Sequence, residues 1–559
     1  MHFCLLDEFP EQLFGTPLRL KTKAPFVLIG RHARKLTDLC RPHLKSPAAF
    51  CYHPISAMNP TRSTLMDVLN AAPGDKIALI VPESGARISY DSLRRQVTAM
   101  ADAFASAGIG RGDRIAMAFP NGPEVIICFL AASIAGTAAP LNPAYRREEF
   151  SFYLEDTNAR LLVLPAHGAK QAREAAAGKI HILTASTDAA GNVELSAPSE
   201  GTSAPVPTSQ DVALILHTSG STGRPKRVPL THGNLAISAG NIVSTYKLGS
   251  EDVSLCLMPL FHVHGLMAST LSTFLSGGTV VVPARFNPLS FWRTVRDFRP
   301  TWYSAVPTIH QLILARTSSS ERPEGAQSLR FIRSCSAPLA VETAEKIEAL
   351  TGAPVLEAYG MTEAAHQMAS NPLPPRPRKF GSVGPGTGVK IRIMTETGAL
   401  VAAGERGEVV IQGPNVITGY ENNPEANTKS FINGWFRTGD EGVLDAEGYL
   451  HLTGRIKELI NRGGEKIAPL EIDDVLLTHP AISEAVCFGV PHPTWGEEVA
   501  AAVVLSEPAA EADLIAYCRE RLADFKCPKK FYMVESIPRT ATGKVQRLNV
   551  AASLAGNRG

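Results

Sequence analysis

The stretch HTSGSTGRPKRVPLTHGNL, residues 217–235, follows the apolar run Val212 to Leu216. Its small residues let backbone N–H groups approach a ligand, its hydroxyls add donors, and Lys226 adds a positive charge. That combination suits an oligophosphate. It lacks the G-x-x-x-x-G-K-[ST] pattern of a P-loop, and alone it reads equally well as a surface turn. Five more stretches carry matching chemistry. MPLFHVHGL sets His262 and His264 two apart, on one face if extended. RSCSAPL (333–339) is a turn of small residues, with Ser336 and Ala337, against which a planar ring could lie. EAYGMTEAAH (357–366) offers Tyr359 to stack on a base, Thr362 to donate to a phosphate and Glu363 to hold Mg²⁺. GWFRTGDEG puts Asp440 in a glycine-flanked turn, where its oxygens could accept from both ribose hydroxyls. PRTATGKVQR carries Lys544 on an exposed, glycine-hinged loop; a lone lysine there would simply face solvent.

Elements must hold these groups together. From Lys76 onward, short apolar runs (RIAMAF, LLVLP, KIHIL, TVVVP, TWYSAV) alternate with helical patterns. That alternation predicts parallel sheets covered on both faces. Val125 to Leu141 reads as a buried helix running into a loop, too interrupted for a membrane span. After Gly381, VKIRIM, GEVVIQG and GYLHLTG predict a β-rich subdomain. A boundary falls near Gly454–Lys457, and about a hundred residues with their own βα pattern follow. The expected fold class is α/β. A large N-terminal domain of two βαβ-type layered sheets plus a β-rich subdomain spans 58–454, and a small α+β C-terminal domain spans 455–559. Residues 1–57 read as a leader or extension, with Met58 as an alternative start.

Composition narrows the setting. The chain has 559 residues, 44% of them hydrophobic, and a formal net charge of +2, so neither nucleic acid nor an anionic membrane is indicated as a partner. Nine cysteines are scattered without a C-x-x-C pair, which fits a reduced, cytoplasmic enzyme. The final Asn-Arg-Gly is not a peroxisomal address. A monomer or homodimer is expected.

In this order and spacing, over roughly residues 62–550, the stretches resemble the adenylate-forming superfamily of acyl-CoA synthetases, luciferases and adenylation domains. The resemblance implies an ATP- and Mg²⁺-dependent acid–CoA ligase: an acid attacks the α-phosphorus of ATP, and CoA then displaces AMP. It assigns Lys544 to bridge acid and α-phosphate, with Thr362 and Lys226 as further catalytic groups. Thr218, Ser219, Gly220, Ser221, Thr222, Gly223 and Lys226 would fold over the phosphates. Ser336, Ala337, Glu357, Ala358, Tyr359 and Gly360 would line the adenine pocket; Asp440 and Arg455 would hold the ribose; Glu363 would bind the metal. Lys457 falls at the hinge about which the mobile C-terminal domain turns. Gly463, Gly464 and Lys466 would meet CoA. Two positions depart from the pattern. Arg227 replaces a usual glycine and would be strained if φ were positive, and Asn461 replaces a frequent lysine.

The acid pocket should be lined by segments 261–266 and 334–337 and by residues after Thr362. Three imidazoles and two hydroxyls there (His262, His264, His366, Ser334, Ser336) suit a short, doubly charged acid, and histidines beside a carboxylate should stay charged. This text resembles the oxalate–CoA ligase group. The resemblance implies His264, Ser336 and His366 as ligands of the distal carboxylate. Malonate-specific relatives carry an arginine where Ala358 stands. A 4-coumarate or medium/long-chain fatty-acid ligase is the alternative within the superfamily; a nucleotide-binding protein without ligase activity is the alternative outside it.

Overall fold

A computed structural model describes residues 63–196, 201–218, 225–317, 321–540 and 544–555, all within one compact unit, Pro54–Gly559. The preceding unit, Met1–His53, lies outside the described residues, as do the expectations for 1–57 and for Ser219, Gly220, Ser221, Thr222 and Gly223.

Two large mixed sheets form the body. In the seven-stranded sheet, five parallel strands, His181–Thr187, Ala159–Pro165, Arg114–Met117, Thr137–Pro140 and Val212–Thr218, are flanked by antiparallel edges Val193–Leu195 and Lys226–Thr231. The eight-stranded sheet has six parallel strands ending in Phe331–Ser334 and Val355–Met361, with His366–Ser370 antiparallel at one edge and Arg87–Ser89 at the other. The near-continuous apolar runs read from the sequence are strands of these sheets, largely buried except for His181–Thr187 near one edge. Helix Pro123–Ala135 buries every residue except Glu124. It leads into strand Thr137–Pro140 rather than a loop, because the turn is made at Gly136, where a Cβ would sit 2.5 Å from the Asp113 carbonyl oxygen. Among the described residues no helix is long and apolar enough to cross a membrane.

A third, antiparallel sheet (Lys390–Met394, Arg406–Gln412, Phe431–Ile432, Trp435–Leu444, Leu450–Arg455) matches the β-rich stretch. Asp440 lies within the long strand Trp435–Leu444, not in a turn. Gly439 takes φ 74° and kinks the strand without ending it, so Asp440 opposes Arg455 on the next strand. A fourth sheet, built from Ile460–Arg462, Glu465–Ile467, Ile482–His492, Gly496–Leu505 and Lys530–Met533, packs with helices Pro469–Leu477 and Arg547–Ala555.

The segment after His262 also differs from expectation. His264–Leu271 is a π-helix, so His262 and His264 do not share the face of a strand. Gly265 explains the tight entry: a Cβ there would meet the Pro259 carbonyl oxygen at 2.5 Å. Thr270 and Thr273 hydroxyls donate back to the Gly265 and Ser269 carbonyls at 3.0 and 2.8 Å, helping to satisfy a backbone that is buried throughout. Such π segments frequently accompany functional sites.

Candidate active site

Strand ends of the two large sheets, the third sheet and the C-terminal residues Thr540, Lys544 and Gln546 enclose a cleft of about 1660 Å³. Thr218, Lys226, Ser336, Gly360, Thr362, Glu363, His366, Arg455, Lys457 and Lys544 all line it. Residues from five separate regions of the sequence thus converge on one space. Lys544 is half-buried within the cleft, not exposed on a loop. Its segment is folded back: the Thr540 amide donates to the Lys544 carbonyl at 2.8 Å. Just beyond it, buried Arg547 is fixed by Asp473 at 2.7 Å and by Glu458 at 3.2 Å. Desolvation lowers the pKa of the Lys544 ammonium.

At the phosphate end, the antiparallel pair Val212–Thr218 and Lys226–Thr231 brings Thr218 opposite Lys226. The Lys226 ammonium lies 4.3 Å from the Tyr420 ring centroid. Burial lowers its pKa, and neighbouring Glu363 opposes that shift. Glu363 is buried and accepts on Oε1 from the Tyr420 hydroxyl at 2.8 Å and the Thr218 hydroxyl at 3.3 Å. Among the described residues no three His, Cys, Asp or Glu groups form a cation cage. One carboxylate completed by substrate phosphates is how Mg²⁺ is commonly held, so Glu363 fits that ion.

Arg227, the departure from the glycine pattern, is a strand residue opposite His217 and has no positive φ. The condition for strain is therefore not met, and the side chain pairs with Glu421 at 3.0 Å and Asp156 at 3.5 Å. Asp156 also meets His217 at 3.1 Å, and Arg114 pairs with Glu421. This buried cluster escaped the sequence reading, since its members come from four distant segments.

On the nucleotide side, Tyr359 donates its hydroxyl to Asp440, and Arg455 meets the same carboxylate at 3.0 Å. Glu357 accepts from the Gly381 amide at 3.0 Å, and burial pushes its carboxyl up to about 8. Ala337, Glu357, Ala358, Tyr359 and Asp440 are not among the residues that line the cleft. Gly463 and Gly464 form the tight turn between Ile460–Arg462 and Glu465–Ile467, with φ of 59° and 94°. They and Lys466, which pairs with Glu396 at 2.6 Å, are not brought to the cleft. Asn461 pairs with Lys466 in the same hairpin.

At the acid end, Ser336 and His366 face the cleft, joined by His262; His264 lies behind Ser336, its Nδ1 3.0 Å from Ser336 Oγ. The His264 and His366 rings stack at 5.1 Å between centroids. Ser336 has φ 75° and His366 φ 103°, conformations that cost an L-residue about 1–3 kcal/mol and concentrate at functional sites. Nε2 of His366 is buried without a hydrogen-bond partner among the described residues. The expectation of charged imidazoles does not hold for the chain as folded. Burial pushes His262 down to about 3 and holds His264 and His366 well below the usual histidine range, with Arg333 adding to the effect on both. Ser334 is buried and does not line the cleft.

The family profile described as AMP-binding enzyme matches residues 67–421, and the AMP-binding enzyme C-terminal domain profile matches 471–544. The chain is 50% identical over 458 residues to an oxalate–CoA ligase of Arabidopsis thaliana, covering 80% of this chain and 89% of that one. It is 43% identical over 520 residues to an oxalate–CoA ligase of Saccharomyces cerevisiae, covering 86% and 95%. The crystal structure of ATP-bound MatB from Rhodopseudomonas palustris superposes with a TM-score of 0.81 at 31% identity, covering 88% of this chain and 99% of that one. Lys226, Glu363 and Lys544 share one cleft within a chain matched from 67 to 421 and from 471 to 544, and the chain belongs to the AMP-binding enzyme family of acid–CoA ligases.

Proposed function

We propose that the chain joins oxalate to CoA, with ATP converted to AMP and pyrophosphate. The acid end of the cleft carries this reading. A hydroxyl and two stacked imidazoles stand there, within the electrostatic reach of Lys544. Held neutral, the His366 imidazole can donate from its unpartnered Nε2 to a small anion, while His264 acts on that anion through Ser336. Ala358 supplies no guanidinium for a longer diacid such as malonate. The similarity to oxalate–CoA ligases points the same way.

In the first step an oxalate oxygen attacks the α-phosphorus and pyrophosphate leaves. Charge accumulates between the two substrates, and Lys544 and Thr362, which line the cleft, would offset it. Lys226 and Thr218 hold the outer phosphates, and Asp440 and Arg455 hold the ribose. Glu363 would hold Mg²⁺, which screens phosphate charge. In the second step the CoA thiolate attacks the acyl carbon and AMP leaves. That step needs Lys544 withdrawn and the Gly463–Gly464 turn brought in. Lys457, in a single 3-10 turn directly after strand Leu450–Arg455, is a suitable pivot for a C-terminal domain of residues 455–559. All six described cysteines are free and buried, which supports a reducing compartment such as the cytoplasm.

The test is AMP release from purified enzyme with ATP, Mg²⁺, CoA and a panel of short diacids, hydroxycinnamates and fatty acids. Oxalate should show the highest kcat/KM. A larger value for a hydroxycinnamate or a fatty acid would overturn the reading.

A further inference from the structure

Arg333 lies in strand Phe331–Ser334 and is completely buried. A guanidinium inside a protein ordinarily has a carboxylate beside it, because an unmatched interior charge is costly. Among the described residues no carboxylate pairs with Arg333; two hydroxyls, a side-chain amide and the Cys335 sulfur face it. Nε donates to the Tyr246 hydroxyl at 2.9 Å, Nη2 to Gln367 Oε1 at 3.1 Å and Nη1 to Ser304 Oγ at 2.8 Å.

What lies beyond Ser304 gives this charge a purpose. Arginine only donates, so Ser304 Oγ accepts from it, and the single hydroxyl proton is left for His264 Nε2 at 2.7 Å. Nη1 itself stands 3.4 Å from the same nitrogen, which further disfavours a proton there. The imidazole proton therefore sits on Nδ1, facing Ser336 Oγ at 3.0 Å. Ser336 accepts it, and its own proton is free for the cleft that it lines. From guanidinium to cleft, every donor points the same way.

We infer that Arg333 is a positioning residue for the second carboxylate of the acid: through Ser304 and His264 it orients Ser336 as a donor, and its unmatched charge favours a dianion over a monoanion of the same size. This rests on the oxalate reading above.

Oxamate, in which an amide replaces one carboxylate, is the matched monoanion. The experiment compares the KM for oxalate with the inhibition constant for oxamate in wild type, Arg333→Gln, Arg333→Lys and Ser304→Ala. In Arg333→Gln the oxalate KM should rise at least about tenfold. The oxamate constant should move less than about threefold and kcat should be largely kept. Arg333→Lys, which retains the charge, should preserve more of the oxalate preference than Arg333→Gln. Ser304→Ala leaves the guanidinium but breaks the donor row, and should also lower the preference. If Arg333→Gln does not fold, the other two variants decide by the same ratio. Parallel loss of both ligands, or a ratio unchanged from wild type, overturns the inference. A wild type that neither turns over oxalate nor prefers it to oxamate defeats the oxalate reading instead.

Discussion

Under the proposed function, Lys544 would couple the C-terminal segment to the chemistry. It enters the cleft from a loop held by Arg547, at a cost in desolvation that an anionic substrate would recover. Lys544→Ala should leave the fold intact and reduce pyrophosphate release from ATP and acid by about a hundredfold or more, the range seen when one charge-stabilising donor is lost. Thioester formation from supplied acyl-adenylate should be much less affected, since Lys544 has no assigned part there. Near-normal pyrophosphate release would remove the role given to this lysine. Single residues were readable in the sequence where they sit in contiguous motifs, such as Thr362 and Glu363. Arg333 stands inside the RSCSAPL stretch, yet nothing in one dimension shows that it is buried without a carboxylate. The Arg227–Glu421–Asp156 cluster was hidden for a related reason: pairing between residues far apart along the chain has no local signature.

At the level of elements, strand periodicity located most of the sheets, because apolar runs flanked by turn residues leave few alternatives. Two failures have definite causes. Asp440 lies between two glycines that suggest a turn, but Gly439 only kinks a strand whose pairing on both sides is already fixed. The His262–His264 segment alternates like a strand, yet side-chain hydroxyls and the Gly265 contact favour a π-helix. Strand Val355–Met361 and strand His366–Ser370 illustrate how an element sets the pocket. Their pairing shifts at Gly360, where a Cβ would lie 2.1 Å from the His366 carbonyl oxygen. Gly360→Ala must push His366 away. It should cost about 1–3 kcal/mol of stability and raise the KM for the acid more than that for ATP. Thermal melting and steady-state kinetics read the two effects, and unchanged acid KM would show that His366 is not held through this pairing.

For the whole molecule, one buried histidine ties distant parts together. His232 Nδ1 accepts from the Leu65 amide at 3.2 Å, and Nε2 lies 2.8 Å from the Ser133 carbonyl. Burial pushes this imidazole down to about 4, from 6.5 for an exposed histidine. As pH falls below about 6.5 the unfolded chain takes up the proton first, so stability falls with it. The contribution of His232 is complete above that pH and is lost progressively as the pH approaches 4. Denaturation midpoints should therefore decline from pH 7 to 5, and His232→Gln should show a shallower decline. Equal slopes in the two proteins would assign the pH dependence to other groups.

The ladder rung between Asp440 and Arg455 has a mechanical consequence. Arg455 is the last residue of its strand, and the 3-10 turn carrying Lys457 begins at the next position. Grip and joint are therefore adjacent along the backbone. Torque at the joint is felt first by the side chain that would clasp the sugar, so swinging the tail and loosening spent nucleotide would be two readings of one movement.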